Sequence, residues 1–233
     1  MGHPRGVTRL SPGVHYFTPT LPIHVFDARE PGPTALIQAG IHGDEVAGVH
    51  ALQELLEEEL RPARGRLLVV PVMNPPAYRA RQRCAPGGLD LNRCFPGDAG
   101  APERERRLAR RFMDLVLAER PALMATLHES QKRYHPDVRP SFGQTLVYGV
   151  TPMPEILART IDRLNARFPE EDARWAPQYY PVATSSTEVI VDAIGCVGIC
   201  VETWMGFPEP RRVEMQRAVV ELLLDDIGVR PLA

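Results

Sequence analysis

The chain has 233 residues, 44% of them apolar and 24% charged, which is enough for a full hydrophobic core and lies outside the range of disordered chains. With 27 basic residues against 29 acidic ones and a net charge of -2, it lacks the basic surplus of a dedicated nucleic-acid binder. No apolar run reaches the roughly 18 to 20 residues needed to cross a bilayer, and Met1 to Gly6 carries no secretory hydrophobic stretch. A cytoplasmic protein with no membrane partner is expected, with reduced thiols at Cys84, Cys94, Cys196 and Cys200.

Ile23 to Phe26 and Ala35 to Ala39 are short apolar runs flanked by proline or glycine, and they read as strands. From Asp44 the period changes. Val46, Val49, Leu52, Leu55 and Leu56 recur at helical spacing, and the run Glu57-Glu58-Glu59 reads as a solvated face. Leu67 to Val72 reads as a strand buried on both faces, stopped by Asn74-Pro75-Pro76. Ala77 to Ala101 is rich in glycine and proline without periodicity, and so long a loop in a compact domain is usually functional. A helix follows with Leu108, Phe112, Leu115 and Val116 as its inner stripe. Arg106, Arg107, Arg110 and Arg111 form its outer face, in solvated ion pairs with Glu103 and Glu105.

Leu123 to Leu127 and Thr145 to Tyr148 read as strands, Pro154 to Phe168 as a helix, Val197 to Val201 as a buried strand and Val213 to Ile227 as a closing helix. This alternation predicts an α/β fold whose mixed, mostly parallel sheet is covered on both faces, in one catalytic domain over residues 1–233. Reactive groups are then expected beyond the carboxyl ends of the strands.

His42 lies just past one such strand, and Glu45 falls three residues on, in the expected first turn of the next helix, with Gly43 relaxing the backbone between them. Imidazole plus carboxylate suits zinc. A helix N-terminus attracting Asp44 and Glu45 through its dipole, with His42 merely packing, is the other reading of the pair. His128 follows Leu123 to Leu127. As a third partner it would complete a two-histidine, one-carboxylate site with a position open, the pattern of catalytic rather than structural zinc. Glu202 ends an apolar strand and is either a proton acceptor facing the crevice or half of an arginine salt bridge. In the long loop, Asn92 and Arg93 suit a forked hold on a carboxylate, Arg83 suits a developing oxyanion, and Asp90 suits a hydrogen bond to a histidine ligand.

The combination of His42-x-x-Glu45, Asp90-Leu91-Asn92-Arg93-x-Phe95-Pro96-Gly97, His128 and Glu202 resembles the zinc carboxypeptidase superfamily, which includes the succinylglutamate desuccinylase and aspartoacylase deacylases. The resemblance runs from Ala35 to Glu202. It implies a three-layer fold of the zinc carboxypeptidase type, one zinc ion on His42, Glu45 and His128, and a carboxylate clamp of Asn92 and Arg93. It further implies Arg83 as the oxyanion-stabilising arginine, Glu202 as general base and Tyr180 as a mobile substrate-covering tyrosine, with Tyr179 as competitor. The implied reaction is hydrolysis, by zinc-activated water, of an amide next to a free carboxylate in a small peptide. Deacylation of an N-acyl amino acid is the alternative, and a zinc-free binder of peptide carboxyl ends is a more distant one.

The sequence departs from the pattern at Glu129, where peptidases more often carry a small polar residue, which suggests an altered substrate side. The short tail after Glu202 suggests the absence of a C-terminal β-domain and a compact form like murein peptide amidase. Glu188 and Asp192 are candidates for selecting a substrate with a distal amine.

Overall fold

The computed structural model describes residues 8–58 and 60–230; the Met1 to Gly6 segment and Glu59 of the acidic run lie outside them. Three strands open the fold: β1 (Gly13–Thr18), β2 (Leu21–Asp27) and β3 (Glu30–Ala39). Helix α1 (Ala47–Glu57), strand β4 (Arg64–Val70) and a short helix α2 (Pro75–Ala80) follow, then α3 (Arg104–Glu119) and β5 (Leu123–Ser130). The second half contains β6 (Thr145–Tyr148), α4 (Glu155–Arg167), β7 (Ala176–Tyr179), α5 (Ser186–Ile194), β8 (Val197–Trp204) and α6 (Glu209–Asp226).

The strands form one 8-stranded sheet in the order β1-β2-β4-β3-β5-β8-β6-β7. Its centre, β4-β3-β5-β8, is parallel, while β1, β2 and β4 pair antiparallel and β6 runs antiparallel to β8 but parallel to β7. The expected mixed α/β sheet is therefore present.

Successive residues of the central strands serve opposite faces. Ile37, Val69, Ala125 and Ile199 join a core with Val49 and Leu52 of α1, Leu157 and Leu164 of α4, and Val219 and Leu223 of α6. Leu36, Leu68 and Met124 join a second core with Phe112 and Val116 of α3 and Ile190 of α5. Burial on both faces is why these strands are continuously apolar rather than alternating. No helix among the described residues is long and apolar enough to cross a membrane, and all four cysteines are free.

Several boundaries differ from the sequence expectation, each for a local reason. The Pro75-Pro76 pair does stop β4, but proline also fits the first turn of a helix, and α2 starts there. The long loop contains that helix's end and a 3-10 turn at Leu91–Arg93. Glu105 is buried beside Arg104 rather than solvated. His128 and Glu202 lie within β5 and β8, because both strands continue past their apolar runs.

Candidate active site

The parallel centre brings the carboxyl ends of β3, β5 and β8 to one edge of the sheet. Beyond β3, Gly40 turns the chain with φ +63°. Gly43 has an ordinary φ; what it supplies is close approach, since a Cβ there would sit 2.0 Å from the Ala77 carbonyl group of α2. The Gly43 N–H donates to the Gln82 carbonyl at 3.0 Å, which pins the loop. Glu45 precedes α1 rather than entering its first turn.

These constraints deliver His42 and Glu45 to a point that His128 reaches from β5. His42 Nδ1 lies 2.8 Å from Glu45 Oε1 and His128 Nδ1 lies 2.7 Å from Glu45 Oε2. The two imidazole centroids are 4.9 Å apart. One donor atom from each of the three buried residues falls within 4.8 Å of the others. Two nitrogens and one carboxylate so gathered fit a divalent ion such as zinc by donor chemistry.

The surroundings stiffen the cluster. His42 Nε2–H donates to Asp90 Oδ1 at 3.3 Å, and Asp90 Oδ2 accepts from Arg83 Nε and Nη2 at 3.1 and 2.8 Å. A carboxylate behind a ligand histidine fixes the ring's orientation. Burial alone would depress His42, yet the Glu45 charge and hydrogen bonds to Asp90 and Glu45 hold its pKa at about 9 in the metal-free chain. Burial would push Glu45 up, but both imidazoles hold it well below the usual carboxylate range. His128 is lowered, chiefly by burial.

Strand register sets Glu202 directly beside His128 in the neighbouring strand. Burial, then the Glu45 charge, pushes its carboxyl well above the ordinary range. Among the described residues its one side-chain hydrogen bond comes from the Cys200 thiol, at 3.7 Å.

A cavity of about 400 Å³ is lined by His42, Glu45, Arg83, Asn92, Arg93, His128, Tyr180 and Glu202, so the expected ligands, clamp, arginine, base and tyrosine share one cavity. Asn92 is buried, its Oδ1 accepting from the Ser186 N–H at 2.9 Å, while Arg93 is exposed and forms no ion pair among the described residues. Tyr180, not Tyr179, lines the cavity, with its ring 5.0 Å edge-on from Phe142. Glu188 lines it as well and Asp192 does not.

Glu129 is among the residues lining the cavity, while its carboxyl group is 0% exposed and paired with Arg212. Phe142, Val147, Thr187 and Met205 form further parts of the wall. The sequence reading had singled out none of these four, since apolar and hydroxyl residues scattered over several elements leave no motif.

Residues 31–134 match the model of the succinylglutamate desuccinylase/aspartoacylase catalytic domain. The N-alpha-acetyl-L-2,4-diaminobutyric acid deacetylase of Halomonas elongata is 43% identical over 88 residues, which is 37% of this chain and 25% of that protein. Product-bound Csd4, a cell shape determinant protein of Helicobacter pylori, shares the fold with a TM-score of 0.80 and 18% identity, over 92% of this chain and 57% of that one. Its mDAP-bound form, described as a D,L-carboxypeptidase, gives a TM-score of 0.75 and 19% identity over 88% and 54% of the two chains. This chain thus spans little more than half the length of Csd4, and its match to the deacetylase spans a quarter of that relative. Residues 31–134, rather less than half of the chain, thus resemble the succinylglutamate desuccinylase/aspartoacylase catalytic domain, and the whole chain shares the fold of Csd4.

Proposed function

We propose that the chain is a zinc-dependent hydrolase that cleaves an amide on the α-amine of an amino acid whose own carboxylate is free. The observation that carries this reading is the single cavity shared by the ligand cluster, Glu202 and the Asn92-Arg93 pair. Zinc on His42, Glu45 and His128 supplies a Lewis acid for the carbonyl and brings the pKa of water down toward about 7.

The chain's own groups do the rest. Arg93, with Asn92 beside it, holds the substrate carboxylate and orients the amide. Glu202 takes a proton from the attacking water as its oxygen bonds to the carbonyl carbon. It returns that proton to the amine nitrogen as the C–N bond breaks. Burial raises this carboxyl group above its ordinary range, so it holds a proton more readily than one in water, as the return step requires. Arg83, whose guanidinium faces Glu45 and Asp90, stabilises charge on the carbonyl oxygen. Tyr180 covers the bound substrate.

Peptidase and deacylase chemistry share this leaving group and differ only in the acyl side. The 43% identity to a deacetylase over 88 residues favours the deacylase. Csd4, described as a carboxypeptidase, supports the peptidase through fold alone.

On the leaving side, Glu188 is a half-buried carboxyl group with no ion-pair partner among the described residues, raised by burial and by Asp192. With Arg93 in the same cavity it complements an amino acid bearing both a carboxylate and a distal amine. The test is hydrolysis of N-acetyl-2,4-diaminobutyrate and N-acetyl-lysine against N-acetyl-norleucine, alongside dipeptides with the same C-terminal residues. The acetylated diamino acids should be cleaved fastest. Indifference to the amine would remove Glu188 from recognition, and preferential cleavage of the dipeptides would favour the peptidase.

A further inference from the structure

We infer that Glu129 is a positioning residue for the metal cluster, a role that rests on reading His42, Glu45 and His128 as ligands. Helix α1 begins without a cap of its own. Its N-cap residue is the apolar Val46, with no side-chain cap bond, and no acid lies in its first turn. The first N–H groups of a helix need acceptors when buried, and one here comes from a different element. Glu129 Oε2, projecting from β5, accepts from the Ala47 N–H at 2.9 Å.

The other carboxylate oxygen pairs with Arg212 of α6, whose Nε donates to the Phe207 carbonyl at 3.0 Å. The Glu129 backbone N–H in turn donates to Glu45 Oε2 at 3.2 Å. One turn along α6, Gln216 Nε2 donates to the His128 carbonyl at 2.7 Å and to Thr203 Oγ1 at 3.0 Å. The two elements that carry the ligands, the loop before α1 and strand β5, are therefore joined through Glu129 and braced together by α6. Gly48 lets them meet closely, since a Cβ there would lie 2.6 Å from Leu127 Cβ.

A buried ion pair is a weak source of fold stability, because its desolvation offsets its attraction. What Glu129 fixes is the spacing of Glu45 from His128. Supporting groups behind metal ligands typically account for about 10- to 100-fold in metal affinity.

The test compares zinc affinity with melting temperature in the full chain. Purified zinc-loaded protein is titrated with a competing chelator, as wild type, as Glu129→Gln and as the double variant Glu129→Leu/Arg212→Met. Gln retains one acceptor for two donors, and the double variant removes both charges so that neither is stranded. Both variants should bind zinc about 10-fold or more weakly, with the metal-free double variant melting within a few degrees of wild type. Zinc affinity equal to wild type in either variant would overturn the positioning role, as would an affinity loss that merely tracks a fall in the metal-free melting temperature. Failure of wild type to retain zinc would overturn the ligand reading itself, and this role with it.

Discussion

Replacing Glu202 with glutamine is the sharpest test of the proposed proton path. The substitution keeps the side chain's size in a strand position beside His128, and it removes only the capacity to accept and return a proton. General acid–base catalysis contributes about 10²- to 10⁴-fold. The structure points to the upper part of that range, because the carboxylate is buried beside Glu45 and, among the described residues, receives only a thiol hydrogen bond, at 3.7 Å. So weakly solvated a carboxylate is a stronger base than one in water. A loss of about 10³- to 10⁴-fold in kcat is expected, some 4 to 5.5 kcal/mol at about 1.36 kcal/mol per decade. Zinc content and the melting curve should stay as in wild type, because Glu202 lies outside the ligand triad. The assay is steady-state hydrolysis of the best N-acetyl diamino acid, with metal analysis on the same samples. Turnover within tenfold of wild type would refute the role of Glu202.

Arg93→Ala should lower kcat/KM by about 10- to 100-fold for substrates with a free carboxylate, mainly through KM, since a charge-assisted bond is worth about 1.5 to 3 kcal/mol; an unchanged KM would remove Arg93 from the clamp. Gly43→Ala forces a Cβ to within 2.0 Å of the Ala77 carbonyl group. It should cost about 1 to 3 kcal/mol in urea unfolding and also weaken zinc retention. Far from the site, Glu119 is buried against Arg66, with side-chain exposures of 1% and 8%, so Glu119→Ala should cost about 3 to 5 kcal/mol. Burial alone would raise the Glu119 carboxyl, but hydrogen bonds from Arg66, the Leu10 N–H and Arg9 hold it below its ordinary 4.5. Its contribution is therefore complete above pH 4.5 and lost on acidification below it. A wild-type-minus-variant gap that stays constant down through that range would contradict the sign.

The central fold was legible because its strands are buried on both faces and its longer helices carry regular inner stripes. What escaped the sequence reading lacked one of those signals. β1 is an edge strand with Val14 and Tyr16 facing solvent, so its apolar residues do not mark a core. β7 is short and contains Pro177. α5 is rich in β-branched residues that favour strands, although Ser185-x-x-Glu188 was a readable start signal, and the Ser185 side chain does accept from the Glu188 N–H.

At the site, His42, Glu45 and the Asp90 to Arg93 string were legible because they are close in sequence. The juxtaposition of His128 with Glu202 depends on strand register, which no local pattern encodes. Glu129 stands out in the sequence only as the residue that follows His128. Its partners Ala47 and Arg212 lie on two other elements, so its connection became visible only in three dimensions.

The most direct measurement is diffraction at the zinc absorption edge, on crystals of the full chain grown with one equivalent of zinc. The account predicts one anomalous peak per chain, bounded by His42, Glu45 and His128, and its loss in His128→Ala. A folded, zinc-supplemented chain whose difference map is empty at that point, or whose only peak lies elsewhere, would contradict it.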